Sequence, residues 1–145
     1  LGLVNTQTAL VTTYLAVTIP FTIFILISYF ESIPSDLYRA ARVDGCSHVA
    51  ALRHVYLPLA LPAVIASLMF AFLTSWNEFI FALILTQNVV AQTLPIVISG
   101  FVMDFTTSFS FINAAGVIAI VPPVVLAMLF ERYIVSGLTA GAVKG

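Results

Sequence analysis

Charge is what this chain has least of. Asp, Glu, Lys and Arg make up 8% of its 145 residues, against about a quarter of an ordinary soluble domain. Cysteine is almost as scarce: Cys46 stands alone, which excludes an intramolecular disulfide and any cysteine-based metal cluster. No Gly-x-x-x-x-Gly-Lys-Ser/Thr run occurs anywhere, so no nucleotide-binding loop of that type is present. The formal net charge of −1 gives no reason to expect a nucleic-acid partner. Hydrophobic residues fill the space that charge leaves, at 61%. That excess excludes an ordinary water-soluble fold.

The few charges cut the apolar sequence into lengths that matter, because a helix needs about 20 apolar residues to cross a bilayer core. Three spans are expected, at about 10–30, 61–85 and 111–130. The fold class that follows is an all-α membrane protein, with residues 1–145 forming a single transmembrane domain. The first run is not expected to be a signal peptide, since its apolar stretch is longer than the usual h-region and no basic residues stand ahead of it in these 145 residues. The chain begins Leu1-Gly2-Leu3 without a Met, and we expect it to be the C-terminal portion of a longer polypeptide.

Arg39, Arg42 and Arg53 lie between the first and second spans, and Arg132 and Lys144 follow the third. The stretch from Thr86 to Ser110 has only Asp104. The positive-inside rule therefore puts loop 31–58 and tail 131–145 in the cytoplasm, and loop 86–110 outside.

Within loop 31–58 the residue order spells two short amphipathic helices. Pro34 suits a first turn and Asp36 the positive end of the helix dipole. Gly45 suits a left-handed stop, Ser47 a new N-cap, and Pro58 a second end. Leu37, Ala40 and Ala41 share one face, and Val49, Leu52 and Tyr56 share another. Carrying most of the bases, this pair belongs at the membrane surface, either setting topology or meeting a partner.

Four further features are chemical. Pro20 and the pair Pro122-Pro123 interrupt spans, and each proline leaves the carbonyl four residues earlier without its donor. Ala115, Gly116 and Ala119 are small enough for another helix to approach closely. Leu94–Ile98 is apolar but too short to cross. Glu78, within Trp76-Asn77-Glu78-Phe79, is an acid inside an apolar run, where an ionised carboxylate costs about 2.5–3.5 kcal/mol at the centre of a bilayer. From Leu61 it lies about 25 Å along a helix, toward the outer side, so it either reaches outer water or forms a polar notch facing a helix or aqueous cavity.

Arg39-Ala40-Ala41, two residues, Asp44-Gly45, nine residues, then Val55-x-Leu57-Pro58 resembles the Glu-Ala-Ala loop of permease subunits in bacterial ATP-binding-cassette importers. Trp76-Asn77-Glu78-Phe79 and the ending Gly137–Gly145 are similar to the maltose-type, carbohydrate-importing subgroup. The family's opening Glu is Arg39 here. The resemblance implies a multi-pass permease of the bacterial inner membrane, not an enzyme, binding no cofactor or metal itself. It would form half of a pathway for a sugar or oligosaccharide.

Its implied partners are a cytoplasmic dimer of ATPase subunits, a second permease subunit in a heterodimer, an external solute-binding protein and the lipid bilayer. The coupling residues it implies are Arg39, Ala40, Ala41, Asp44, Gly45, Val49, Leu52, Val55, Leu57 and Pro58. Candidates for the pathway are Trp76, Asn77, Glu78 and Asn113, with Tyr14 beside them. Import of a non-sugar solute, a channel or scaffold, and an intramembrane enzyme are the alternatives. The enzyme lacks paired intramembrane acids, and His48 and His54 do not share the i, i+4 face of a metal pair.

Overall fold

A computed structural model describes residues 2, 4–103 and 109–142, and among these every regular element is helical. The longest are α1, Gln7–Ser32, and α8, Phe109–Ala142. Gln7–Ser32 and Phe109–Tyr133 are each long and apolar enough to cross a membrane. Asp104 and Lys144, used above to assign sides, lie outside the described residues.

α1 starts where Thr6 Oγ1 accepts the Ala9 N–H at 3.2 Å. Four of its hydroxyls are satisfied from within: Thr12, Thr13, Thr18 and Ser28 each donate to the carbonyl four residues back, at 2.8–2.9 Å. Such back-bonding makes hydroxyls tolerable in an apolar helix. Pro20 is accommodated inside this one helix.

α2, Ser35–Val43, and α3, His48–Ala51, are the two short helices of the intervening loop. The sequence reading ended the second of them at Pro58, but the helix runs on. A π-turn over Leu52–Tyr56 leads into α4, Leu57–Leu59. In that wider turn the Leu57 N–H reaches back to the Leu52 carbonyl. Widening relieves the clash a proline ring makes with the carbonyl four residues earlier, so Pro58 rides through. The chain then bends by 70° at Ala60 into α5, Leu61–Trp76.

The run 61–85, expected as one helix, is two. α5 ends at Trp76, and after Asn77-Glu78-Phe79 the short α6, Ile80–Leu85, begins. If the bent pair His48–Leu59 and Leu61–Trp76 is one broken span, three crossings are available. The apolar segment at 94–98 belongs to α7, Leu94–Met103, preceded by a 3-10 turn at Val89–Ala91.

Two compact units emerge. One comprises Leu1–Ile19 and Ala71–Met128, the other Pro20–Phe70 and Leu129–Gly145. The first has a small core of Leu10, Ala82 and Ile96, flanked by Tyr14, Phe79 and Leu85. Asn5 straps it at one end: its N–H donates to the Leu85 carbonyl at 2.8 Å, and its side-chain oxygen accepts the N–H groups of Gln87 and Asn88. In the second unit Ala41, Ala51, Ala60, Ala63 and Ser67 are the buried small residues, and Phe21 packs on Phe70 with ring centroids 4.1 Å apart.

Candidate functional site

The elbow between α2 and α3 is built by backbone geometry that the sequence dictates. Gly45 sits at φ +85°, in the region L-residues avoid. A Cβ there would meet nothing within 4 Å, so the torsion and not crowding selects glycine. The Gly45 N–H donates to the Arg42 carbonyl at 3.2 Å and the Cys46 N–H to the Ala41 carbonyl at 3.0 Å. That is a Schellman closure, which satisfies two carbonyls a helix end would otherwise leave bare.

Two side chains tighten the turn. Arg42 Nη1 donates to the Cys46 carbonyl at 2.6 Å, and the Ser47 hydroxyl accepts the Ala50 N–H at 3.2 Å to start α3. Behind the turn, Tyr38 stacks on His48 with a hydroxyl-to-Nδ1 hydrogen bond, and meets Tyr56 edge-on at 6.3 Å.

What this bracing holds out is apolar. Val43 is 86% exposed and Val49 74%, and Leu37, Leu52 and Leu57 are exposed as well. Of the ten predicted coupling residues, Ala41 is buried, Val55 half-buried and the rest exposed. Arg39 makes a 3.4 Å ion pair with Asp36 one turn away; both are largely exposed, and such pairs contribute about 0–1 kcal/mol. Arg39 is thus only lightly held.

The second cluster lies in the other unit, around the break between α5 and α6. Glu78 caps α6: Oε1 accepts the Phe81 N–H at 2.8 Å, and Oε2 accepts the Ala82 N–H at 3.0 Å and the Tyr14 hydroxyl at 3.1 Å. Its charge sits at the positive end of a helix, where a carboxylate is stabilised. The acid is therefore part of the architecture that permits a helix to restart inside an apolar run.

Trp76 has a comparable task. Its indole N–H donates to the Ala119 carbonyl at 3.0 Å, the carbonyl that lacks a donor because residue 123 is proline. Asn77 Nδ2 donates to the Leu73 carbonyl at 2.8 Å, leaving its Oδ1 on an exposed side chain. Asn113 is exposed on α8 and takes no part in these hydrogen bonds. Of the predicted polar residues, Trp76, Asn77, Glu78 and Tyr14 come together, while Asn113 stays outside the cluster. Gly116 is open, with nothing among the described residues within 4 Å of a Cβ built there.

Over residues 2–140 the chain matches the family described as binding-protein-dependent transport system inner membrane component. The chain belongs to this family. It is 44% identical over 146 residues to the trehalose/maltose transport system permease protein of Thermococcus litoralis, covering 100% of this chain and 52% of that protein. It is 41% identical over 145 residues to the sulfoquinovosyl glycerol transport system permease protein of Agrobacterium fabrum, covering 100% and 51%. The trehalose transport system permease protein of Mycobacterium tuberculosis is 36% identical over 147 residues, covering 100% and 54%. The chain thus spans about half the length of these curated relatives.

A component of an inner-membrane transport system needs apolar helix surfaces, and this one has them. Of the most apolar stretches of α1 and α8, only 11% and 6% of residues are buried. The sequence pointed to both clusters through spacing and through one misplaced acid. It did not reveal the Trp76–Ala119 bond or the strap at Asn5, although Pro123 had already marked Ala119 as a carbonyl in need of a donor.

Proposed function

We propose that this chain is the coupling and pathway-forming portion of a permease that imports a sugar or oligosaccharide at the expense of ATP hydrolysed by a separate subunit. The observation that carries the reading is the elbow: two helices fixed by a Schellman turn at Gly45, presenting Val43 and Val49 at 86% and 74% exposure. Exposed apolar side chains on a braced support suit insertion into a groove of another protein. A braced support also transmits displacement, which a floppy loop does not.

In this reading loop 31–58 faces the cytoplasm and meets one of two ATPase subunits. A second, non-identical permease completes the pathway, and an external binding protein delivers the cargo. Sugar is favoured by the relatives, which include permease proteins of trehalose/maltose, trehalose and diacetylchitobiose transport systems. In the notch, the Trp76 indole N–H, one N–H of the Asn77 amide and the carboxylate of Glu78 are already engaged. The groups left there for cargo hydroxyls are the oxygen and second N–H of the Asn77 amide and the face of the Trp76 ring turned away from Phe72, which stacks on it at 5.4 Å; the Asn113 amide is exposed apart from them.

Cys46 lies in the turn itself and is partly exposed, which makes it a built-in probe. In intact complexes it is expected to crosslink to the co-expressed ATPase subunit, detected as a shifted band on gels. No crosslink with reagents of any length up to about ten residues' extended reach, roughly 33–36 Å, sinks the coupling assignment. Cargo is identified by calorimetric titration of the cognate binding protein with trehalose, maltose and related saccharides.

A further inference from the structure

The elbow reaches α5 through an interrupted stretch of helix. Across it stand a π-turn, two prolines at 58 and 62, and a 70° bend. π-turns and prolines are where helices swivel and kink. α4 stops at Ala60, with φ −79° and ψ −2°. Helical bonding resumes with the Val64 N–H on the Ala60 carbonyl at 3.0 Å, leaving the carbonyl just before it, on Leu59, to find its donor elsewhere.

That donor is the hydroxyl of Tyr29, at 3.1 Å, near the end of α1. The next residue, Phe30, packs its ring against Tyr56 with centroids 6.3 Å apart, and Tyr56 is the last residue of the π-turn. Two adjacent residues of α1 therefore grip both ends of α4. Tyr56 in turn touches Tyr38, which holds His48, so the grip is continuous with the bracing of the elbow. Ala60, at 0% exposure, is packed shut at the bend.

We propose that Tyr29 is a positioning residue: its hydroxyl, seated by the Phe30–Tyr56 contact, fixes the angle between the elbow and α5 and ties both to α1. The proposal rests on the reading of the elbow as the surface that receives the motor's stroke. Without the clasp, a push on Val43 and Val49 would be absorbed by swivelling at Ala60. With it, elbow, α5 and the end of α1 move together.

The test uses the full-length permease assembled with its partner subunits in proteoliposomes. Spin labels are placed at Cys46 and at an introduced cysteine, Leu68→Cys, whose native side chain is 63% exposed on α5. With Tyr29 intact, a single narrow distance is expected, equally narrow with ATP and vanadate. Loss of one hydrogen bond, as in Tyr29→Phe, is expected to raise the disengaged, broadened population about 2- to 10-fold. Stimulation of ATP hydrolysis by the external binding protein should fall with it.

Phe30→Leu, which keeps the hydroxyl and removes the ring contact, is expected to broaden the distance in the same way. A distribution as narrow in Tyr29→Phe as in the native complex overturns the proposal, even if Tm drops, because that would be stability alone. A broad native distribution overturns it too. If the external binding protein does not stimulate ATP hydrolysis in the native complex, the import reading fails, while the comparison of widths still decides the clasp.

Discussion

At the scale of the residue, the recurring theme is a backbone carbonyl stripped of its donor and rescued by a distant side chain. Pro123 strips Ala119 and Trp76 supplies the indole N–H; the break at Ala60 strips Leu59 and Tyr29 supplies a hydroxyl. Away from water an unsatisfied polar group costs about 1–3 kcal/mol, so the part-buried Trp76 bond carries more stability than the exposed Tyr29 bond, whose part is to position. Trp76→Phe is expected to destabilise the purified protein by about 1–3 kcal/mol, read by thermal unfolding in detergent. Pro123→Ala restores the missing donor, and in that background the same substitution should cost markedly less. Equal costs in both backgrounds would disconnect Trp76 from the proline.

The elements repeat this economy of satisfied ends. α2 closes on a glycine, α3 opens on a serine, and α6 opens on a glutamate, each supplying what a helix terminus lacks. The elbow depends most on Gly45, since a left-handed torsion costs an L-residue roughly 1–2 kcal/mol. Gly45→Ala should therefore lower stability by about that amount. Gly45→Pro is harsher: proline requires φ near −65° and has no N–H for the Arg42 carbonyl. On the proposed reading of the elbow, membrane insertion should survive in that variant, while uptake falls away from ATP hydrolysis when the two are assayed side by side. Normal uptake would show that the turn is dispensable.

For the whole molecule, the distribution of charge carries the proposed orientation. Arg42 and Arg53 are exposed on the loop between α1 and α5, and the positive-inside rule assigns that loop to the cytoplasm. Cysteines introduced at these two positions should react with a membrane-impermeant maleimide only after cells are opened. Labelling of either in intact cells reverses the orientation and removes the elbow from any cytoplasmic motor. The exposed apolar surfaces of α1 and α8 belong to the same scale: they are stable only against lipid or companion subunits.

How much of this was legible beforehand depends on the distance over which each cause acts. The two short helices, the glycine stop and the serine cap are local, because torsion and capping are settled within a few residues, and spacing alone located them. The run 61–85 misled, since hydropathy does not register that an acid at 78 folds back to cap a new helix beginning at Ile80. Pro58 misled for a related reason, a π-turn having absorbed it. The sequence determined that this chain lives in a membrane and bends at Gly45, because composition and glycine's torsional freedom leave no alternative. Only the tertiary structure decided which carbonyls Trp76 and Tyr29 serve, because those partners lie 43 and 30 residues away, beyond the reach of any local pattern.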